Sequence, residues 1–401
     1  MINYAWPVTT IDRNDLSKID ELINKYSKVL KEKQIVIFGA GIRGTIFSIV
    51  LSKRGYTNIV FTDNNKEKVG NTINEFLIVS YEEIEKRKDE IFVIISVEEC
   101  DQICKQLVNS KFEEGCNFVR INAELYEQYV DNFMRPGDLD AIVMGDCGLV
   151  DISQSDNNFE NVSEMIQRKL PDTKVKILAI HAMGMRAFYH ILKAHFDNVS
   201  VPKQVSIMAN FETFTGKQHL LPRSQHARLM ELLYEQLPNK DKELQEYCEV
   251  TKERVLDFRV DYFTSAKGNK GEMNSSKNDK LVMRMNYMYV LSEECEPIRY
   301  ISKIKELCRS KGVNLSFFIP PANYMYAETF FGTMFREKYE ANVKRLVGII
   351  GEDVEVWDLS YILNDKEFAA PTTIDETANY FGREKFSDEI VKGIKRISDG
   401  I

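Results

Sequence analysis

Long apolar runs and clusters of basic residues are both missing from this chain of 401 residues. No run approaches the about 18 apolar residues that a membrane-spanning helix needs. Residues 1–10 lack the basic start and apolar core of a signal peptide. The 61 acidic residues outnumber the 53 basic ones, and no basic run stands out that would neutralise phosphates. We therefore expect a protein with no membrane span and no nucleic-acid partner.

The cysteines lack the paired spacing of a zinc site, and their number is odd. They are Cys100, Cys104, Cys116, Cys147, Cys248, Cys295 and Cys308. Scattered single cysteines are typical of a reducing compartment rather than of a disulfide framework. We expect a cytoplasmic protein, and the spacing predicts no metal site.

A chain of this length predicts two or three domains. A hydrophobic fraction of 44% is enough for each of them to bury a core. The patterns described below favour two tandem α/β domains at residues 1–135 and 136–401. The second carries a helical insertion at about residues 211–313.

The first domain contains the pattern of a dinucleotide-binding βαβ unit. An apolar strand at residues 34–38 leads into Gly39, Gly41 and Gly44 at the start of a helix, and a second strand ends at Asp63. In such a unit the glycines let the backbone approach a pyrophosphate, and the acid accepts hydrogen bonds from ribose hydroxyls. The pattern predicts a Rossmann-like fold. Its loop holds either a nucleotide or nucleotide-sugar, or nothing.

Two segments of this domain carry a family resemblance. Residues 61–70 (FTDNNKEKVG) and 76–84 (FLIVSYEEI) resemble the small Rossmann-like domain at the N-terminus of sugar acyltransferases of the PglD type. The resemblance implies a nucleotide-sugar or organisational role more often than redox chemistry. An NAD-dependent enzyme run from this domain is a weaker alternative.

Five apolar segments follow one another in the second domain, separated by helical patterns or by the insertion. They are residues 141–144, 175–180, 205–209, 315–319 and 354–357. This alternation predicts a doubly wound parallel sheet. In such sheets ligands bind at the carboxyl ends of the strands, so the residues after each strand are the candidates for a site.

The first of these strands ends in a sharp turn, Gly145-Asp146-Cys147. A thiol at the tip of a strand can attack a carbonyl while the backbone N–H groups behind it stabilise the oxyanion. A tight turn with a buried thiol and no chemistry is the alternative.

Four blocks in order resemble the SGNH (GDSL-like) hydrolases, a family of esterases and carbohydrate O-acyltransferases. They are Gly145-Asp146-Cys147, the segment around Gly184, the residue Asn210 and the segment 375–382. The resemblance implies a flavodoxin-like parallel sheet. It also implies that Cys147 is the nucleophile, that Gly184 and Asn210 are oxyanion donors, and that Asp375 is the acid of an Asp-x-x-His pair.

The sequence differs from that family at two of the positions that carry out catalysis. Cys147 replaces a serine, and Ala378 stands at the position of the histidine. All five histidines precede residue 227. Three interpretations stay open: an enzyme in which His181, His219 or His226 folds over the site, a degenerate ligand-binding or assembly protein, and a deliberately inactivated variant of an active enzyme.

Further polar residues near the strand ends are candidates for contacting substrate, although a structural role is the alternative for each histidine. These candidates are Asp146, His181, His219, Arg223, His226 and Asn323. The leading prediction is acyl transfer or ester hydrolysis on a carbohydrate or glycan precursor. The acyl donor, the acceptor and the oligomeric state stay open, and a homo-oligomer is one option.

Overall fold

The structure is a computed structural model, and it describes most of the chain. The described residues are 10–97, 100–121, 125–153, 155–215, 226–238, 241–249, 275–371 and 377–399. The chain divides into two compact units, residues 1–125 and 126–401. This division lies earlier than the predicted domain boundary because the helix Leu125–Met134 packs Val130 and Phe133 into the core of the second unit.

The first unit is built on one six-stranded sheet. The strands of this unit are β1 (Thr10–Asp12), β2 (Gln34–Phe38), β3 (Ile59–Thr62), β4 (Thr72–Ile73), β5 (Phe76–Val79), β6 (Ile91–Ile95) and β7 (Phe118–Arg120), and all of them except β1 belong to the sheet. Its helices are α1 (Arg13–Glu32), α2 (Ile42–Lys53), α3 (Tyr81–Lys86) and α4 (Asp101–Asn109). The sheet order is β4-β5-β3-β2-β6-β7, and every pair is parallel except the antiparallel pair of β4 and β5. The α/β character predicted for this part of the chain is confirmed.

The second unit is built on a five-stranded sheet. The strands of this unit are β8 (Ala141–Gly145), β9 (Asp151–Ser153), β10 (Val175–Ala179), β11 (Gln204–Met208), β12 (Asn314–Ile319) and β13 (Glu355–Asp358), and all of them except β9 belong to the sheet. The sheet order is β10-β8-β11-β12-β13, and all pairs are parallel. The five predicted strands are therefore confirmed, and no strand end differs from its predicted position by more than one residue.

Helices connect these strands, and several of them fall in the predicted insertion. They are α5 (Leu125–Met134), α6 (Cys147–Val150), α7 (Val162–Lys169), α8 (Met185–Asn198), α9 (Ala227–Gln236), α10 (residues 242–249), α11 (Ser275–Tyr287), α12 (Glu296–Lys311), α13 (Tyr324–Phe331), α14 (Thr333–Ile350) and α15 (Tyr380–Asp399). Within the described residues, no helix combines the length and the apolarity needed to cross a membrane.

The inner strand β8 has an unbroken apolar sequence because both faces of the sheet are covered there. Ile142 and Met144 join the larger core on one face of the sheet, whereas Ala141 and Val143 join the core on the other face. Successive side chains of a strand point to opposite faces, so a sheet covered on both sides needs apolar residues at every position. Burying each of the larger side chains contributes about 1.5–3 kcal/mol. This burial fixes the strand, and with it the position of the turn that follows.

Candidate functional site

The sheet topology of the second unit brings two predicted site segments together. The strands β8 and β11 are neighbours, although β10 lies between them in the chain and on the other side of β8. The strand order reverses at this point, and ligands of doubly wound sheets bind at such a reversal, beyond the carboxyl ends of the strands. Asp146 and Cys147 follow β8 there, and Asn210 follows β11.

Asp146 ties the ends of these two strands together. Its carboxylate accepts a 3.0 Å hydrogen bond from the N–H of Gly148 and so caps the short helix α6. The amide Nδ2 of Asn210 donates to the other carboxylate oxygen at 2.9 Å. Burial raises the pKa of Asp146, while the bonds from Gly148 and Asn210 act in the opposite direction. Asp146 was predicted to contact substrate, but it is only 3% exposed. Its hydrogen bonds hold the ends of β8 and β11 together, so it positions the site.

Helix α6 puts a second carboxylate beside the thiol. Cys147 is the first residue of the helix, and the N–H of Asp151 donates to the carbonyl oxygen of Cys147 to close its single turn. Residues four apart in a helical turn lie on the same face. Cys147 is half-buried and Asp151 is buried. Asp151 was not among the predicted site residues.

His181 reaches this pair from the end of β10. The N–H of Met183 donates to the carbonyl oxygen of Ile180 across the turn, and Ala182 adopts a left-handed φ of 58°. A residue with a Cβ adopts that conformation at a cost of about 1–2 kcal/mol, so surrounding contacts must hold the turn in place. The turn sets Nε2 of His181 at 2.8 Å from Oδ1 of Asp151.

Cys147, Asp151 and His181 form a compact cluster, and one donor atom from each lies within 4.8 Å of the other two. The 2.8 Å contact places the imidazole of His181, a side chain that can act as a base near neutral pH, against the carboxylate of Asp151. A thiol, a base and a carboxylate that orients the base are the three parts of a nucleophilic catalytic site. The same three donors also suit a metal ion. The side chain of His181 is 46% exposed, so the cluster is open to solvent.

The two predicted oxyanion donors lie around Thr213. Gly184 precedes helix α8, and a Cβ built on it would lie 3.9 Å from Cβ of Thr213. The hydroxyl of Thr213 donates to the carbonyl oxygen of Asn210 at 2.7 Å. The side-chain amide of Asn210 donates to the carboxylate of Asp146, so Asn210 lies at the same strand ends as the turn of Cys147.

His226 lies behind the turn that carries His181. It is 4% exposed and occupies a left-handed position, φ 48°, before helix α9. Burial lowers the pKa of His226 to about 4, the nearby backbone of Ala182 opposes this shift, and the charge of His181 adds to it. His226 is thus a neutral, buried neighbour of the turn rather than a solvent-facing base.

Other predicted residues lie elsewhere or outside the described part of the chain. Asn323 caps helix α13 by accepting from the N–H of Tyr326, and its Nδ2 donates to the carbonyl oxygen of Pro371. Ala378 is 6% exposed and packs in a small apolar cluster with Leu363 and Phe368. Outside the described residues are Asp375, His219 and Arg223.

The glycine loop of the first unit, residues 39–44, and the nearby Asp63 make close contacts within the protein itself. The predicted ribose acceptor Asp63 takes hydrogen bonds from the N–H of Ala40 and from Nζ of Lys68, both at 2.8 Å. A Cβ on Gly39, whose φ is +120°, would lie 2.8 Å from the side chain of Ser96. A Cβ on Gly44 would lie 2.1 Å from the carbonyl oxygen of Gly39. Internal packing therefore accounts for these two glycines.

The third glycine of the loop, Gly41, differs from the other two. A Cβ built on it would meet nothing within 4 Å. Helix α2 begins directly after it, and the N-terminal N–H groups of a helix suit an anion. Space for a ligand in this loop is therefore on the side of Gly41.

One comparison with known proteins bears on the first unit. Residues 31–115 match the family model described as C2185-like, N-terminal. The matched range holds β2 to β6 and helices α2 to α4, and it ends before β7. No curated protein matches the chain.

Proposed function

We propose that the second unit is an SGNH-like hydrolase or acyltransferase whose nucleophile is Cys147 and whose base is His181. The observation that carries the proposal is the 2.8 Å contact of His181 with Asp151, made beside the half-buried thiol of Cys147. A carboxylate that accepts from one ring nitrogen orients the imidazole and stabilises its protonated form.

The chemistry follows in two steps. The sulfur of Cys147 bonds to the acyl carbon while its proton passes to His181, and His181 then protonates the departing alkoxide. In the second step water or an acceptor hydroxyl gives its proton to His181, and its oxygen attacks the thioester carbon. The carbon–sulfur bond then breaks, the acyl group leaves on that oxygen, and His181 returns the proton to the sulfur of Cys147. N–H groups of Cys147, Gly184 and Asn210 would stabilise the oxyanion in both steps.

In this arrangement His181 supplies the base that the family resemblance places at the position of Ala378. The base would come from the turn after the second strand of the sheet rather than from an Asp-x-x-His pair near the C-terminus. Asp151 would take the part that the family resemblance gives to Asp375. A thiol tolerates such a change better than a hydroxyl because a few per cent of free thiol is ionised at neutral pH.

The proposed acceptor is a carbohydrate or glycan precursor. It rests on the resemblance of the second domain to carbohydrate O-acyltransferases and of the first to a module of sugar acyltransferases. In this proposal the first unit holds a nucleotide-sugar or has an organisational role.

A ligand-binding or assembly function is the second candidate, and one observation favours it. Ala378, at the position of the family histidine, is packed against Leu363 and Phe368 as part of an apolar cluster. A protein that kept the fold without the chemistry would bind a ligand saturably at the same strand ends and form no covalent intermediate.

Turnover of a small aryl acetate tests the proposal. We expect Cys147→Ala to abolish release of the aryl alcohol, because the acyl group then has no nucleophile. Cys295→Ala is the matched control: Cys295 is also partly buried and also stands at the start of a helix of the second unit. Equal turnover by Cys147→Ala and by the control would overturn the proposal.

A further inference from the structure

The cluster of Cys147, Asp151 and His181 has a second chemical capacity that needs no acyl group. Its donors are a thiol sulfur, a carboxylate oxygen and an imidazole nitrogen, and all three lie within 4.8 Å of one another. Thiolate and imidazole are the ligands that favour zinc over magnesium or calcium. Bond lengths to zinc of about 2.0–2.3 Å place tetrahedral ligands about 3.3–3.7 Å apart. Small side-chain rotations would bring the three donors to that spacing.

The surroundings of the cluster favour a cation. Asp151 has a side-chain exposed fraction of 8%, so its charge is held in a largely buried position and gains from a close positive partner. The carboxylate of Asp146 also interacts electrostatically with His181. A divalent ion in the cluster would contact the carboxylate of Asp151 and the thiolate of Cys147, which are two negative charges.

The cluster also has an open side. His181 is 46% exposed, so solvent reaches the donors from its direction. Three protein ligands with a fourth position left to water is the pattern of accessible zinc sites, as opposed to closed structural ones with four protein ligands.

We infer that Cys147, Asp151 and His181 form a binding site for one divalent cation of the zinc class. The ligands come from residues 147–151 and from residue 181, which only the parallel pairing of β8 and β10 brings together. That separation explains why cysteine spacing in the sequence predicted no metal site. The inference goes beyond the proposed function, because binding requires the three donors and no acyl chemistry.

A consequence for the proposed function follows. A thiolate bound to zinc shares its lone pair with the metal and no longer attacks an acyl carbon. The ring nitrogen of His181 that binds zinc can no longer accept a proton. The bound ion would therefore block acylation of Cys147. Removal of the ion by a chelator restores the thiol. Zinc and the acyl donor would thus exclude each other at the same sulfur.

Cobalt titration of the full chain tests the inference. The protein is reduced, treated with a chelator and desalted, and Co²⁺ is then added as a spectroscopic substitute for zinc. We expect one equivalent to bind, with a sulfur-to-cobalt charge-transfer band in the near ultraviolet and the strong visible bands of a four-coordinate ion. Zinc should displace the cobalt and remove both features.

Four variants identify the ligands. Cys147→Ser should lose the charge-transfer band, and His181→Gln and Asp151→Asn should weaken cobalt binding about tenfold or more. Cys116→Ser, an exposed cysteine of the first unit, should leave the spectrum unchanged. Circular dichroism of each variant separates loss of a ligand from loss of the fold. A charge-transfer band retained in Cys147→Ser, or no band in the unaltered protein, overturns the inference.

Acyl labelling of the chelator-treated protein keeps this result separate from the proposed function. Acylated Cys147 without cobalt binding rejects the metal site and leaves acyl transfer standing. Cobalt binding without acylation does the reverse.

Discussion

Replacing Asp151 by asparagine tests the link between the carboxylate and the base. The change keeps the size of the side chain and a hydrogen-bond acceptor, and it removes the negative charge 2.8 Å from Nε2 of His181. That charge stabilises the imidazolium that forms when His181 takes the proton of Cys147. Asp151→Asn should therefore slow acylation without removing the nucleophile.

The size of the expected effect depends on how strongly solvent screens the charge of Asp151 at His181. The ring is 46% exposed, so an effective dielectric of about 40–80 applies rather than that of a dry interior. Coulomb's law at 2.8 Å then gives about 1.5–3 kcal/mol. This free energy corresponds to about a 10- to 150-fold fall in the rate of acylation. A fully buried pair would lose more.

The assay is the single-turnover rate of acylation by an aryl acetate, followed by release of the aryl alcohol. Asp140→Asn is the matched control, since Asp140 precedes β8 at the opposite end of the strand and pairs with Lys203 on the surface. The control should react at the rate of the unaltered protein. An Asp151→Asn protein as fast as this control would refute the role of Asp151.

Three further predictions concern the fold around the site. Ala378→His should not raise the esterase rate and should destabilise the second unit by about 1–3 kcal/mol, because the position is buried among apolar side chains; a large rate gain in the same aryl acetate assay would contradict this. Asp156→Ala should lower the free energy of unfolding, measured with urea, by about 3–5 kcal/mol, because it removes the carboxylate 2.6 Å from the fully buried Arg383. A decrease below about 1 kcal/mol would show that this ion pair is dispensable for stability. Burial lowers the pKa of His190 and of His195 to about 4 from 6.5, so protons bind first to the unfolded chain; the free energy of unfolding should fall by about 2 kcal/mol per histidine from pH 7 to pH 5, and His190→Phe should remove its share of that slope.

The sheet of the second unit was predictable because it is buried on both faces. Its three inner strands β8, β11 and β12 are largely buried, and the strands follow one another in the chain at the spacing of strand and helix. The turn after β8 was predictable for the same reason, since Gly145, Asp146 and Cys147 end such a strand. A Cβ on Gly145 would lie 2.5 Å from the side chain of Leu149, so the tight turn needs glycine there.

Asp151 escaped prediction for a physical reason. It is reached through the four-residue helix α6, which is too short to give a periodic pattern, and it matters only because His181 arrives from another strand. The spacing of four residues between Cys147 and Asp151 was the available signal. His181 was a predicted contact because it follows a strand, but its partner depends on the strained turn at Ala182.

The glycine loop of the first unit shows another limit of sequence patterns. Three glycines and an acid in the right order predict a nucleotide loop, yet Gly39 and Gly44 are required by close packing, and Asp63 bonds to Ala40 and Lys68. The same residue types serve the loop's own contacts and those of a ligand. Spacing alone does not separate the two uses.

Mass spectrometry of the intact protein tests the central claim most directly. The chelator-treated protein is incubated with a small aryl acetate or with acetyl-coenzyme A, and any adduct is located by peptide mapping. The account predicts one acetyl group on Cys147, formed more slowly in His181→Gln. Absence of any adduct, in a protein whose Cys147 is still alkylated by iodoacetamide, would contradict it and would favour a ligand-binding role for the same strand ends.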